Sequence, residues 1–452
     1  MRTQEKKVER TLELWCAVVT CALFAAALLG ALYTGELRTL WADFLRLQLT
    51  PSPVLTDYFE LGSLGAAFLN AAVCGAGVIL LARALEVPFR PLMTVCYILV
   101  VAHCFFGMNA VNLSVCVAGV LVASRIRKAD MRHDIASALF TGCLGPFMGE
   151  MLFRYTLGDA FDPTSPVVTA GSLALTAALA LLVGFMVPAV LHGVRQMHKG
   201  YSLYNAGVAI GLLAMFLYGM MYKVFHVENP AVVTRYNAAY EAAGRSYDLF
   251  VIGFYTILFA SALIIGWHQN GKSFRGYGKL VAHTGYDADF VHEFGTPLCL
   301  INVGVYGFMI LAFMTVMSYM PGAVGFTGPT CGIIIGAMSF VLMGQDPGDV
   351  WPIMLGYVIL GAFNTAVRHD PVFVTATQPY LISFAFATGL CPIAGTYGWK
   401  WGAAAGFISG CIFTQKAATH GGLMLFNGGF AAGLTAMILI PVLEFYRVKY
   451  KE

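Results

Sequence analysis

Charge is scarce in this sequence. Only 11% of its 452 residues are Asp, Glu, Lys or Arg, against roughly a quarter in an ordinary soluble domain. No long stretch is polar enough to read as a soluble domain. The net charge of +3 gives neither the basic surface of a nucleic-acid binder nor an acidic tail. Catalytic signatures are missing as well: there is no P-loop, no Gly-x-Ser-x-Gly, no His-Glu-x-x-His and no dinucleotide fingerprint. Gly325-Phe-Thr-Gly-Pro-Thr-Cys-Gly332 lacks the lysine of a phosphate loop and reads as a break between helices. Gly344-Gln-Asp346-Pro-Gly-Asp349 reads as a turn. The eleven cysteines show no Cys-x-x-Cys spacing and no His/Cys cluster, so they read as small core hydrophobes. No metal site, cofactor or enzyme activity is expected. The alternative class, an intramembrane enzyme or lipid-processing protein, would need a nucleophile or paired carboxylates in one cavity.

What is present is apolar length. Hydrophobic residues make up 58% of the chain, in runs near the roughly 20 residues a helix needs to cross a bilayer. The segments fall near 12–33, 59–82, 92–107, 111–124, 135–153, 167–191 and 203–224, then 246–267, 296–319, 323–343, 350–366, 379–399, 401–415 and 423–446. Those at 92–107, 111–124, 350–366 and 401–415 are short enough for half-helices or re-entrant hairpins, which need cover from protein or a water-filled cavity. The first run follows a basic start, as a signal peptide would, but is too long for an h-region and reads as a permanent helix.

The chain repeats itself. The stretches from His198 to Ala214 and from His420 to Ala436 both read His-x-Gly-x-x-Leu-aromatic-Asn-x-Gly-x-Ala-x-Gly-Leu-x-Ala. Gly184 and Gly406 stand fourteen residues before those histidines. Arg132-His133-Asp134 answers Arg368-His369-Asp370, and Thr141-Gly142 with Pro146 answers Thr388-Gly389 with Pro392. Nearer the start, Asn70 and Asn302 match, preceded at equal spacing by Asp57 and Asp289. Each half then holds about seven segments. An odd number of crossings turns the second half over, the inverted repeat found in secondary transporters.

Loop charges agree with that inversion. With the N-terminus inside, inner loops collect Lys6, Lys7, Arg10, Arg83, Arg90, Arg125, Arg127, Lys128, Arg132, Arg195 and Lys199, and later Lys272, Arg275, Lys279, Lys400, Arg447, Lys449 and Lys451. Outer loops hold far fewer, among them Arg154, Lys223, Arg235 and Lys416. Basic residues gather on the cytoplasmic side, so both termini are expected there. The expected fold is an all-α polytopic membrane protein of about 14 transmembrane or re-entrant segments in two inverted repeats. The first repeat is expected over 1–225, an extracytoplasmic connector over 226–245, the second repeat over 246–447 and a cytoplasmic tail over 448–452.

Candidate site residues follow from chemistry at helix starts and breaks. His198, Asn205 and Gly207, with His420, Asn427 and Gly429, place an amide and glycines at the start of an apolar helix, where free N–H groups bind polar solutes. Thr141 and Pro146, with Thr388 and Pro392, interrupt apolar segments and free backbone groups near the midplane. Asn70 and Asn302 add a paired amide within the membrane. Glu150 lies in an apolar run and has no ionisable counterpart, the repeat setting Thr396 against it, so it is the candidate for Na+ or H+ coupling. The expected partners are a small polar solute, the coupling ion and the bilayer, with a homo-oligomer left open and no nucleic acid.

Leu203-Tyr204-Asn205-Ala206-Gly207 and Leu425-Phe426-Asn427-Gly428-Gly429 resemble the Tyr-Asn-Gly elements repeated in bacterial urea transporters. That resemblance implies a channel for a small neutral solute. The chain has about seven segments per half where that family has five, and lacks its Asn-Pro-Leu-Ser-Gly element. Over its whole length it is similar to an uncharacterised bacterial family of multi-pass proteins carried under a domain-of-unknown-function label, which implies the architecture, in the bacterial inner membrane, and no substrate.

Overall fold

The computed structural model describes residues 2–414 and 419–451, and the loop around Lys416 lies outside the described residues. Fourteen helices among them answer to the apolar runs, and shorter helices such as Leu40–Gln48 and Tyr277–Val281 lie between these. The first seven are α1 (Arg2–Tyr33), α2 (Leu64–Ala84), α3 (Pro91–His103), α4 (Ala110–Ile126), α5 (Met131–Phe153), α6 (Ala170–Met197) and α7 (Asn205–Val224). The second seven are α8 (Asp248–Gln269), α9 (Thr296–Ser318), α10 (Gly328–Gly336), α11 (Pro347–Arg368), α12 (Gln378–Tyr397), α13 (Trp399–Phe413) and α14 (Asn427–Phe445). No residue among those described is in a strand. Ten of the helices are long and apolar enough to cross a membrane, the four others being α3, α4, α10 and α13. Apolar side chains stay on the outside, with Leu249 81%, Ile257 70% and Ile264 62% exposed along α8. A surface of that kind is stable against lipid and costly against water.

Two segments differ from their sequence outline. The run at 350–366 is a full-length helix, because Asp346 caps it from outside and Pro347 begins it, where a missing N–H costs nothing. The run at 323–343 shrinks to the nine-residue α10, capped by Thr327, and then breaks into a turn. The glycine-rich stretch at 325–332 thus opens a helix as well as breaking the chain.

Packing recurs between the halves. α1 lies along α2 as α8 lies along α9, α4 along α6 as α11 along α13, and α6 along α7 as α13 along α14. Glycine lets these pairs touch backbone to backbone. A Cβ on Gly184 would lie 2.3 Å from Gly119 O, and one on Gly406 would lie 2.4 Å from Ile353 O. Between the halves, α7 packs on α14 and α3 on α10. Asp57 ties the halves too: its carboxylate accepts from the N–H groups of Phe59 and Gly328, each at 2.9 Å, and from the Tyr240 hydroxyl at 2.6 Å. Burial pushes this carboxyl up to about 6, against those three donors. The Arg-His-Asp triplets do not correspond: Arg132–Asp134 sits in the first turns of α5, whereas Arg368–Asp370 runs off the end of α11. Nine of the eleven cysteines are buried, and Cys21 and Cys411 are exposed.

Candidate functional site at the junction of the halves

The two kinds of interrupted helix meet crosswise. α5 breaks into a tight turn at Gly142–Leu144, and α12 breaks at Thr388–Leu390. Pro146 and Pro392 follow in the first turn of the resumed helix, where proline is tolerated. Each break frees a carbonyl, and the opposite half satisfies it. The Leu203 N–H donates to Gly389 O at 2.9 Å, and the Leu425 N–H donates to Cys143 O at 2.9 Å. The segment entering α7 is therefore held by the second half, and the one entering α14 by the first. Tyr204 adds a hydrogen bond from its hydroxyl to Gly336 O at 2.9 Å.

Beyond this crossing α7 and α14 touch at their glycines. A Cβ on Gly207 would lie 2.5 Å from the carbonyl carbon of Gly429, and one on Gly211 would run into the Phe430 ring. The contact leaves no space for a solute at that level. Just before it stand polar atoms with nothing to bind. His198 is 1% exposed, and neither of its ring nitrogens has a hydrogen-bond partner. Asn205 lies beside that ring without hydrogen-bond geometry, and its Oδ1 is also unpartnered, as is Asn427 Oδ1. Burial holds the His198 imidazole below the usual histidine range, so it stands neutral. His420 is fully buried at the matching place.

A family model described as "Protein of unknown function (DUF1576)" matches residues 37–223 and 269–445. The chain belongs to that family. The two matched stretches take in the helices that meet at the junction, α5 and α7 in one and α12 and α14 in the other. No curated protein and no solved structure matches the chain.

Asn70 and Asn302 do the same work in each half. Asn70 Nδ2 donates to Cys104 O (2.8 Å) and Met108 O (2.9 Å), and Asn302 Nδ2 donates to Val341 O (3.1 Å) and Gln345 O (2.8 Å). They clamp the turns that end α3 and α10, and their oxygens accept from Gln48 and Tyr277. Thr388 is drawn into the second clamp, accepting from Gln345 Nε2 at 2.8 Å, while Thr141 donates back to Ser137 O within its own helix. Thr141, Pro146, Thr388 and Pro392 thus lie where the halves cross, and the paired asparagines lie one layer away, fully hydrogen-bonded at their amides.

Glu150 is 0% exposed and accepts from Arg154 Nε at 2.9 Å. Arg154, Tyr155, Tyr222 and Glu228 line a small cleft of about 180 Å³ above it. A second cleft of about 430 Å³ is flanked by Arg46 and Arg235, which share Asp43 at 2.7 and 3.2 Å. Neither cleft is lined by the Asn-Gly motifs. Among the described residues, no three His, Cys, Asp or Glu side chains gather as a metal would require.

Asp346 and Asp349 escape the motif reading. The stretch that looks like a turn is the buried start of α11, and these two side chains are 0% and 2% exposed. The repeat contains the signal. Carried through the clamped turns, it sets Asn109-x-x-Asn112 against Asp346-x-x-Asp349.

Proposed function

We propose that this protein is a membrane transport protein, a channel or secondary transporter, which moves a small polar solute along the interface of two inverted halves. The observation that carries the reading is the reciprocal docking of each half's Asn-Gly segment on the other half's broken helix, with unpartnered atoms of His198, Asn205 and Asn427 beside the crossing. Buried polar groups without partners are costly, and a polar solute would supply the missing hydrogen bonds. Broken helices meeting between repeats are where transporters bind their substrates.

Seven helices per half, packed in the same pairwise order, fit a second half that enters from the opposite side. The basic loops favour cytoplasmic termini, and this reading takes the bacterial inner membrane as the setting. The close Gly207–Gly429 contact favours a path that opens by rocking of the halves over a standing pore. Neutral His198 and the two asparagines suit a small solute with both donors and acceptors, in keeping with the likeness to urea transporters.

The test is stopped-flow flux into proteoliposomes of purified protein, with a panel of small neutral and ionic solutes and with or without Na+ and H+ gradients. Flux that falls at least tenfold in Asn205→Ala and Asn427→Ala, while both variants remain folded, supports the reading. Absence of flux for every solute under every gradient overturns it.

A further inference from the structure

The turns that close α3 and α10 are the same turn built twice. In one, the Met108 N–H donates to His103 O at 3.1 Å; in the other, the Gln345 N–H donates to Phe340 O at 3.1 Å. Each turn leads into a capped helix, α4 from Asn109 and α11 from Asp346. The backbone arrangement is shared, but the capping side chains differ in kind: the first half uses amides where the second uses carboxylic acids.

The amides find partners. Asn109 Nδ2 donates to Leu47 O at 2.7 Å and Asn112 Nδ2 donates to Gly107 O at 2.9 Å, and both of their oxygens accept from backbone N–H groups. The acids cannot donate in this way when ionised. Asp346 Oδ1 accepts from the N–H groups of Gly348 (2.7 Å) and Asp349 (3.3 Å). Asp346 Oδ2 and Asp349 Oδ2 are buried with no partner at all. A backbone carbonyl lies close to each carboxylate. At Gly395 a Cβ would lie 2.2 Å from Asp349 Oδ2 and 2.3 Å from Thr284 O, and at Gly348 it would lie 2.9 Å from Val281 O and 3.1 Å from Asp346 Oδ1. Any larger residue at 395 would fill this place.

Few other charged groups face it. Lys451, whose N–H donates to Thr396 O at 2.7 Å, attracts both carboxylates but forms no ion pair with either among the described residues. The Cys391 thiol is spent on Gly344 O at 3.3 Å, and Tyr277 on Asn302. His283 faces Glu293 at 3.2 Å, and its Nδ1 accepts from Gly285. The oxygens named here only accept, and two of them are formally anionic and unpartnered. Hard oxygen ligands with no soft donor suit a hard cation, and the Lys451 charge nearby offsets part of the pair's own, which favours a monovalent ion over a divalent one.

We infer that Asp346 and Asp349 hold a sodium ion between their Oδ2 atoms, with Thr284 O as a neutral ligand. The site deepens the transport reading by naming its coupling ion, and it places that ion in the half of the protein that lacks Glu150. Protons compete for the same oxygens, so sodium binds more weakly as pH falls.

Calorimetric titration of the purified full chain in detergent with NaCl, and with KCl, CaCl2 and choline chloride as comparisons, tests the site. One saturable Na+ per chain is expected, with release of protons in weakly buffered solution and affinity lower at pH 6 than at pH 8. The double variant Asp346→Asn/Asp349→Asn copies the amides that the first half already carries at these positions, so it is expected to fold, and to lose Na+ affinity at least tenfold. Asp349→Asn alone, with the Na+-dependent rise in melting temperature as readout, covers the case in which the double variant fails to fold. No saturable Na+ binding in the wild type, tighter binding of K+ or Ca2+, or undiminished Na+ binding in a folded variant overturns the assignment. Binding is read without flux. A chain that binds Na+ yet moves no solute removes the transport reading and leaves the site, whereas flux without Na+ binding does the reverse.

Discussion

Replacing Gly207 by alanine adds one methyl group at the α7–α14 contact. It would stand 2.5 Å from the Gly429 carbonyl carbon and 2.8 Å from the Phe430 nitrogen. Ordinary carbon contacts begin near 3.4 Å, so the helices must separate by about 0.9 Å at this point. Both opposing atoms are backbone, and no side chain can swing aside. Overpacking of this kind costs about 1–3 kcal/mol, and alanine's better helix propensity returns at most about 1 kcal/mol. The net effect is destabilising. Gly253→Ala in α8 is the control, since nothing lies within 4 Å of its Cβ position and only the propensity gain remains. Melting followed in detergent should fall for Gly207→Ala by a few degrees, on the order of 2–4 °C per kcal/mol or less for a chain of this size, and hold or rise for Gly253→Ala. Equal stability of Gly207→Ala and wild type would refute the close packing of the halves along this line.

Removing either clamp should cost more than removing a surface amide. Asn70→Ala and Asn302→Ala each leave two buried carbonyls unpaired, about 2–5 kcal/mol together, and similar losses in the two variants would mark the clamps as equivalent. Glu150→Ala strands Arg154, which is 13% exposed, and should lower stability by about 2–3 kcal/mol, under the 3–5 of a fully buried pair. Glu150→Gln should leave sodium-driven uptake in place; its loss would move the coupling ion from Asp346 and Asp349 to Glu150. Asp57 sits at about 6 against an ordinary 3.8, so its protonated form favours the folded state. That stability, roughly 3 kcal/mol, is full below pH 3.8 and lost as pH rises through about 6, and Asp57→Asn should flatten the melting profile between pH 4 and 6.5.

Much of the architecture is legible in the sequence, because lipid asks one thing of a crossing helix, an apolar run of sufficient length. Most segment outlines lie within a few residues of the helices, α9 among them, expected at 296–319 and found at Thr296–Ser318. The outlines fail where a polar residue decides a boundary. Asp346 caps α11 and lengthens it, and Asn302 gathers the carbonyls of the turn that cuts α10 short; hydropathy contains neither effect. The site was legible in its parts and not in its assembly. Both Asn-Gly motifs and both Gly-Pro breaks stand out as repeated words, but only three dimensions join the segment before Asn205 to Gly389 and the one before Asn427 to Cys143. The aspartates pass for a turn because a Gly-Gln-Asp-Pro-Gly-Asp string has turn composition, and turn composition says nothing about burial.

The two halves use matching turns and helix pairs, and the places where they part company are the places to look for chemistry. The clamping asparagines, the glycine contacts and the proline-marked breaks are kept in both halves, as the backbone demands of any chain folded this way. Other pairs diverge. Tyr204 in one half stands where Phe426 stands in the other, Glu150 where Thr396 stands, and Asn109 and Asn112 where Asp346 and Asp349 stand. Packing does not require these differences, since the amide version of the capped turn satisfies every polar atom that the acid version leaves bare. A chain that keeps two unpartnered carboxylate oxygens in its interior, beside a working neutral solution of its own making, carries a cost that folding alone gives no reason to bear. Binding a cation is a reason, and the symmetric half provides the control that most proteins lack.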